Sequence, residues 1–323
     1  MHVLVTGAAG FIGSNFVRMI AQGVFPQISE VTVIDKLTYA GVIENLDLAR
    51  DMPGYIFVEG DICTSDLIND LLRNVDAVIN FAAESHVDRS IEGASDFVHT
   101  NIVGVQRLLD ALKATRRDLR FLQVSTDEVY GSIETGSWTE ESPLLPNSPY
   151  SASKAGGELL ARSYSKTHGL DVVTTRCSNN YGPFHFPEKL IPLFVTNLIE
   201  GKKVPVYGSG KNIRDWLHVD DHCRGIYAVL TKGKSGHVYN IGGGRELTNL
   251  EITYKILDVM GADESSIEFI EDRKGHDLRY SVDWSKSKNE LGYQPQVAFE
   301  EGLSRTVKWY IENESWWKPL KAL

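Results

Sequence analysis

Near its start the chain reads Val3-Leu4-Val5-Thr6-Gly7-Ala8-Ala9-Gly10-Phe11-Ile12-Gly13, a short apolar run followed directly by a glycine-rich turn. Ile12, Phe16 and Ile20 then recur at helical spacing. Glycines between a strand and a helix let backbone N–H groups approach a pyrophosphate at the helix N-terminus. Asp35 ends the next apolar run, 22 residues after the last of these glycines. A carboxylate there can accept hydrogen bonds from an adenosine ribose and repel a 2′-phosphate, so the pattern predicts a dinucleotide site that favours NAD over NADP.

Three further features bear on the cofactor. Lys36, beside Asp35, weakens the preference for NAD, since a basic residue can accommodate a phosphate. Asp61 follows the third apolar run, where it either reaches the adenine or closes a turn at the strand end. The fourth apolar run ends in Phe81-Ala82-Ala83. Small residues are needed there if this strand passes beneath a cofactor.

Apolar, β-branched runs alternate with helical segments along much of the chain. This alternation is typical of a parallel sheet with both faces covered, so we predict an α/β fold with a doubly wound (Rossmann-type) sheet. Prolines cluster after Gly182, which indicates a second, smaller mixed α/β substrate domain. The predicted strands are residues 3–6, 31–35, 56–61, 77–81, 121–125, 172–176 and 238–241, and two of the helices are residues 106–115 and 250–260.

The two domains are expected to be interleaved in sequence, because the apolar run at Val238 fits the first sheet. The predicted Rossmann domain spans residues 1–178, with a returning segment at about 213–242. The smaller domain takes about 179–212 and 243–323.

Composition limits the partners and the location. The chain has 33 Lys and Arg against 43 Asp and Glu, a net charge of −10, so no overall positive field attracts nucleic acid or an anionic membrane. Cys63, Cys177 and Cys223 have no metal-binding spacing, so no metal site is predicted. Without a secretion signal or a long apolar span, the sequence predicts a cytoplasmic protein.

A tyrosine and a lysine lie four residues apart on a predicted helix. Tyr150 and Lys154 would project from the same face. In a chain with the glycine pattern above, this pair resembles that of the short-chain dehydrogenase/reductase family. The ammonium, together with a positively charged nicotinamide, is expected to lower the pKa of Tyr150, so that its phenolate takes a proton from a substrate hydroxyl.

Two adjacent carboxylates, Asp127 and Glu128, follow the fifth predicted strand, at the sheet edge where ligands bind. Oxidation of an alcohol does not need such a pair. Elimination of water does, because one group removes a proton next to a carbonyl and another protonates the departing hydroxyl.

The stretch Ser125-Thr126-Asp127-Glu128-Val129-Tyr130-Gly131 resembles the dTDP-glucose 4,6-dehydratase family. The resemblance extends through residues 81–90, 176–183 and 214–221, nearly the whole chain. Nucleotide-sugar 4-epimerases, by contrast, carry small or neutral residues at Asp127 and Glu128. GDP-mannose dehydratases and UDP-glucuronate decarboxylases usually have serine at the position that Asp127 occupies in this chain.

The resemblance implies dehydration of dTDP-glucose to its 4-keto-6-deoxy product, with an NAD that stays bound and is regenerated in each turnover. Tyr150 would act on the 4-hydroxyl, Glu128 on the C5 proton and Asp127 on the C6 hydroxyl. Tyr207 would stack on the pyrimidine, and His86 either touches the sugar or phosphate or is structural.

The implied site residues fall into three groups. The catalytic group is Thr126, Asp127, Glu128, Tyr150 and Lys154. The cofactor group is Gly7, Gly10, Phe11, Ile12, Gly13, Asp35, Lys36, Asp61, Ile62, Phe81, Ala82, Ala83, Ser85, Thr100, Tyr150, Lys154 and Asn180. The substrate group is Ser85, His86, Thr126, Asn179, Lys189, Leu190, Pro205, Tyr207, Arg214, Asn249, Arg273 and His276.

Alternatives stay open at this point. UDP-glucose 4,6-dehydratases share the Thr-Asp-Glu triplet, and a 4-epimerase or a non-catalytic NAD-binding regulator could have the same fold. The family resemblance also implies a homodimer, formed by helices around residues 96–113 and 150–167. Val98, Leu108, Leu159 and Leu160 are the apolar residues that such an interface or a core would bury.

Overall fold

The computed structural model describes residues 1–115 and 118–322. Within these ranges the strands are β1 His2–Thr6, β2 Glu30–Asp35, β3 Tyr55–Glu59, β4 Ala77–Asn80, β5 Arg120–Thr126, β6 Val172–Cys177, β7 Asn179–Tyr181, β8 Val204–Tyr207, β9 Ile213–His218, β10 Val238–Ile241, β11 Glu246–Thr248 and β12 Ile267–Ile270. The α-helices are α1 Phe11–Ala21, α2 Ser65–Leu71, α3 Val87–Glu92, α4 Ser95–Val98, α5 Val105–Thr115, α6 Pro149–His168, α7 Leu190–Ile199, α8 Val219–Lys232, α9 Asn249–Met260, α10 Ser285–Leu291, α11 Phe299–Glu312 and α12 Glu314–Leu320.

The main sheet is parallel, with strand order β10-β6-β5-β4-β1-β2-β3 among the described residues. Strand order reverses between β1 and β4, and in doubly wound sheets the ligand crevice lies at this reversal. All seven predicted strands belong to this sheet, which confirms the predicted fold class. Their apolar runs are continuous because helices cover both faces.

The second lobe has a three-stranded sheet, β11-β9-β7, and a strand pair, β12-β8. Its core includes Phe194, Ile256 and Trp317.

Two segments differ from the predicted division of the chain into two domains. The returning segment was expected to begin at residue 213, but β9 pairs with β7 and β11 in the small sheet. Conversely, Leu291 and Tyr293 pack into the core beside the main sheet, so part of the C-terminal region supports the first lobe.

Within the described residues, none of the helices combines the length and the apolar character needed to cross a bilayer.

A buried ion pair joins α6 to β6. The Nε of Arg176 donates to both carboxylate oxygens of Glu158, at 3.0 and 3.1 Å, and both side chains are almost fully buried. A second guanidinium nitrogen donates to the Tyr130 hydroxyl at 2.6 Å, and that hydroxyl donates to Asn240 at 2.8 Å. This network locks the helix that carries Tyr150 against the strand next to β5.

Arg176→Met is therefore expected to destabilise the protein by about 3–5 kcal/mol, because it leaves the Glu158 carboxylate buried without its partner. The midpoint of urea unfolding measures the effect. The control is Arg50→Met, which breaks the exposed pair with Asp47. That change should cost about 1 kcal/mol or less, and equal losses at both sites would contradict the prediction.

Candidate active site

Close backbone packing forms the glycine turn after β1. Gly7 has φ +64°, and a Cβ there would lie 2.5 Å from the Ala82 nitrogen. A Cβ on Gly13 would lie 2.4 Å from the Gly7 oxygen, so the first and last glycines are required by packing. At Gly10 the nearest such contact is 3.4 Å, because this position opens into a cavity. A larger side chain there would fill the space that a diphosphate needs.

Three charged residues at the strand ends, Asp35, Lys36 and Asp61, also make hydrogen bonds within the protein. The Asp35 carboxylate accepts the N–H groups of Ala9 at 2.9 Å and Leu37 at 2.8 Å, so it ties the glycine turn to the end of β2. Lys36 donates to the Thr100 hydroxyl at 3.2 Å. Asp61 accepts the Cys63 N–H at 2.8 Å, as in the strand-end turn, and it also faces the cavity.

All the predicted cofactor residues line one cavity along the carboxyl ends of the main-sheet strands. The cavity runs from Asp35 and Asp61 at one end to Tyr150 and Glu128 at the other. A narrow glycine turn next to a carboxylate that faces the cavity suits a dinucleotide, whose phosphates need close backbone and whose ribose needs an acceptor.

The catalytic candidates converge at the inner end of this cavity. Thr126, the last residue of β5, accepts the Glu128 N–H on its hydroxyl at 3.3 Å, which fixes the tight turn that presents both carboxylates. Helix α6 begins with Pro149 and a capping box formed by Ser148 and Ser151. The helix start thus places Tyr150 in the first turn, and Lys154 lines the same cavity.

The two carboxylates occupy different electrostatic environments. Burial, with the nearby charges of Glu128 and Asp215, raises the pKa of Asp127 well above its usual range. One Asp127 oxygen has no hydrogen-bond partner among the described residues. Burial also raises the pKa of Glu128, but Arg214, Lys189 and Arg273 oppose the rise. Asp127 therefore suits a proton donor, whereas Glu128 suits a proton acceptor.

Burial affects the pKa of both members of the Tyr-Lys pair. Burial, followed by the charge of Glu128, raises the pKa of Tyr150 well above its usual value. The Lys154 ammonium donates to the Val124 carbonyl at 2.7 Å, and burial lowers its pKa to about 8. The predicted lowering of the tyrosine pKa depends on a positively charged nicotinamide as well as on the ammonium, and it stays a prediction for the cofactor-bound site.

A second cavity adjoins the first at Glu128 and lies between the two lobes. Apart from Thr126, which lines the first cavity, the predicted substrate residues line the second. Among the residues that the structure describes, three cations face it. Arg214 donates to the Ile213 and Asp277 carbonyls at 2.8 and 3.0 Å, Arg273 pairs with Asp88, and Lys189 donates to the Ser85 carbonyl at 2.9 Å. Together they provide local positive charge in an acidic protein, as an anionic substrate requires.

The histidines at this site are hydrogen-bonding groups rather than cations. His86 accepts the Arg89 N–H at 3.3 Å and caps α3, and burial lowers its pKa to about 3. Burial also lowers the pKa of His276, although its hydrogen bond to Asp272 acts in the opposite direction. His86 therefore has a structural role, and its ring also faces the second cavity.

Several residues that line the cavities were missed in the sequence. His185, Phe186 and Glu188 lie on the loop before α7 and line the cofactor cavity, while Tyr280 faces the second cavity. Trp316, near the C-terminus, also reaches the cofactor cavity and donates to the Asn45 side chain at 2.9 Å. No periodic pattern or motif marks these positions, because they reach the site through long-range packing.

Fold and site define an extended short-chain dehydrogenase/reductase with two adjacent carboxylates, Asp127 and Glu128, in the same cavity as the Tyr-Lys pair. The chain matches the family model described as GDP-mannose 4,6 dehydratase over residues 4–306. It is 59% identical over 321 residues to a dTDP-glucose 4,6-dehydratase of an Actinoplanes species. The aligned region covers 98% of this chain and 100% of the relative. It is 57% identical over 325 residues to the enzyme of that name from Streptomyces niveus, covering 100% of this chain and 96% of the relative.

The chain also superimposes on a crystal structure of DesIV, a dTDP-glucose 4,6-dehydratase from Streptomyces venezuelae determined with NAD bound. The TM-score is 0.97 at 59% identity, with 99% of this chain and 100% of that chain covered. The protein belongs to the dTDP-glucose 4,6-dehydratase family.

The raised pKa of Asp127 has a measurable cost. In an unfolded chain an aspartate releases its proton near pH ~4, whereas the folded site retains the proton to a higher pH. Between these two pKa values, folding is penalised by up to about 1.4 kcal/mol per pH unit. Asp127→Asn removes this penalty, so its melting temperature relative to wild type should rise from pH 5 to pH 8. Asp258→Asn, at an exposed position, is the control, and a difference that is independent of pH would contradict the prediction.

Proposed function

We propose that this protein dehydrates dTDP-glucose to dTDP-4-keto-6-deoxyglucose, with NAD as a bound cofactor. The observation that carries the proposal is the adjacent pair Asp127 and Glu128, which lies beside Tyr150 where the two cavities meet. A 4-epimerase oxidises and reduces one carbon and needs no elimination pair, and a non-catalytic regulator needs none of these groups.

The glycine turn, Asp35 and the small residues Ala82 and Ala83 would hold NAD. When bound, NAD supplies a hydride acceptor at C4 and returns the hydride at C6, so its redox state is restored in each turnover. Thr126 would hydrogen-bond the sugar near C4, and Lys154 would stabilise the phenolate of Tyr150 as the 4-hydroxyl loses its proton.

The 4-ketone acidifies the C5 proton, which allows elimination. Glu128 removes this proton, because the three nearby cations oppose the rise in its pKa. Asp127, whose pKa burial raises, delivers a proton to the departing C6 hydroxyl. Protonated Glu128 then returns its proton to C5. Tyr150 has gained the proton of the 4-hydroxyl and Asp127 has lost one to water, so loss of a proton from Tyr150 and uptake of one by Asp127, by exchange with solvent, complete the cycle. This division of roles follows from the two environments rather than from any difference in side-chain chemistry.

The substrate diphosphate would lie near Arg214 and Arg273, because a guanidinium presents paired donors to phosphate oxygens. The nucleoside would extend towards Tyr207, the last residue of β8, which lines the second cavity together with Pro205 and Leu190. Asn179 has a buried side-chain oxygen without a hydrogen-bond partner among the described residues, which suits a sugar hydroxyl. Asn249 supplies a further polar group to this cavity.

The direct test incubates the protein with dTDP-glucose, UDP-glucose, UDP-galactose and GDP-mannose and identifies the products by mass. Loss of water from dTDP-glucose is the expected result. Loss of water from UDP-glucose alone would keep the mechanism and change the nucleotide. Epimerisation without any change in mass would overturn the roles of Asp127 and Glu128.

We also infer a homodimer. Val98 on α4 and Leu159 on α6 are 46% and 52% exposed, whereas Leu108 is fully buried and Leu160 packs against the core. The exposed pair, rather than all four predicted residues, would form the contact. If Leu159 lies in this contact, light scattering of Leu159→Glu should show a monomer.

The cytoplasmic location stays a prediction, supported by three free thiols.

A further inference from the structure

Residues 37–42 form one wall of the cofactor cavity, next to Asp35. Leu37 begins this loop with φ +51°, and a Cβ on Gly41 would lie 2.7 Å from an Asp35 oxygen. Thr38, Ala40, Gly41 and Val42 line the cavity. Residues 37–42 therefore pack directly against the Asp35 carboxylate, which is predicted to bind the adenosine ribose.

The Tyr39 side chain leaves this loop towards two other segments. The Arg89 guanidinium of α3 stacks over its ring, with the guanidinium carbon 3.9 Å from the ring centroid. Phe186 meets the same ring edge-on, at 5.4 Å between centroids. Stacked guanidinium and edge-on aromatic contacts are favourable and directional.

Arg89 also pairs with Glu188, on the loop before α7. Its Nε lies 3.2 Å from a Glu188 oxygen. Phe186 and Glu188 both line the cofactor cavity. Tyr39 and Arg89 thus join three segments that are distant in sequence: the loop after β2, helix α3 and the loop before α7.

We propose that Tyr39 and Arg89 form a clasp across the cofactor cavity that slows the release of NAD. Residues 37–42 and the loop before α7 contribute walls of the same cavity, and the clasp ties them together through α3. A dinucleotide that leaves must part these walls, whereas a bound sugar reaches Glu128 from the second cavity. The inference rests on the proposed function, in which NAD is regenerated in place and does not need to leave.

The contacts predict a moderate effect. Arg89 is 41% exposed, so its ion pair with Glu188 adds little by itself. Removal of the stacked ring or of the guanidinium should accelerate release about fivefold, the usual contribution of a partly exposed cation–π contact. Removal of both should accelerate release by less than the product of the two single effects, because the stacked contact between Tyr39 and Arg89 is lost in either single change.

The experiment loads the enzyme with NADH, adds an excess of NAD, and follows the loss of protein-bound NADH fluorescence. Tyr39→Ala and Arg89→Ala should release NADH about fivefold faster than wild type. Tyr39→Phe keeps the stacked ring and loses the hydroxyl bonded to Glu188, so it should release NADH more slowly than Tyr39→Ala. Glu92→Ala, at an exposed position on α3, is the matched control.

Turnover provides a second readout. With excess NAD in the assay, Tyr39→Ala should recover the wild-type kcat, which damage to the catalytic site would not allow. Release from both alanine variants at the wild-type rate would overturn the clasp. The release assay contains no sugar, so a failure to dehydrate dTDP-glucose would reject the proposed function and leave the release rates interpretable.

Discussion

Tyr150→Phe is expected to lower kcat for dehydration by about 10²–10⁴-fold, the usual contribution of a positioned acid–base group. The change removes one oxygen from a buried ring. The backbone nitrogen of residue 150 keeps its bond to the Ser90 hydroxyl at 3.2 Å, and Phe97 stays edge-on to the ring at 6.4 Å. The variant should therefore fold and bind cofactor, and lose only the group that removes the 4-hydroxyl proton. The assay compares kcat at saturating dTDP-glucose, with cofactor content measured on the same samples.

Tyr164→Phe is the matched control, since it removes a hydroxyl from the same helix. That hydroxyl donates to Asp110 at 2.6 Å, away from the residues that line the cavity. Its loss should leave kcat within about twofold of wild type, because Tyr164 does not line the cavity and the ring that packs against the core is kept. A Tyr150→Phe enzyme that keeps more than about a tenth of wild-type turnover would contradict an acid–base role for this residue.

Glu128→Gln and Asp127→Asn are each expected to reduce water loss from dTDP-glucose by about 10²–10⁴-fold, but by blocking different proton transfers. Glutamine at 128 does not accept the C5 proton. Asparagine at 127 does not deliver a proton to the C6 hydroxyl, although Glu128 can still act at C5. In D₂O, recovered dTDP-glucose should therefore gain deuterium at C5 with Asp127→Asn, and should not with Glu128→Gln.

Mass spectrometry of the recovered sugar separates the two outcomes. Glu134→Gln, an exposed acid on the loop after Glu128, should dehydrate at the wild-type rate. C5 exchange in the Glu128→Gln enzyme would reassign the base, and an absence of exchange in both variants would show that Asp127 is also required to reach the C5 carbanion.

The main sheet and the cofactor turn could be predicted because local patterns determine them. Continuous apolar runs between helices specify a parallel sheet, and a turn that needs Gly7 and Gly13 tolerates few other residues. Asp127 and Glu128 were found for a similar reason: they directly follow a strand, and strand ends in such a sheet meet at its ligand-binding edge. Tyr150 and Lys154 share a helix face by spacing alone.

Long-range packing determines the features of the fold and of the site that could not be predicted from the sequence. The strand at residues 213–218 resembles the others in sequence, but it pairs with β7, because side chains alone do not specify the strand partner. The Tyr150 pKa could not be predicted, since burial and the approach of Glu128 depend on the assembled fold. The same holds for Glu188 and Trp316, which line the cofactor cavity from a loop and a C-terminal helix. It also holds for Tyr39, whose ring packs against Arg89 and Phe186 without any shared period. The sequence by itself thus determined the sheet and the chemical groups at its edge, whereas the tertiary structure decided their charge states and what encloses them, because desolvation and closure arise only when distant segments pack together.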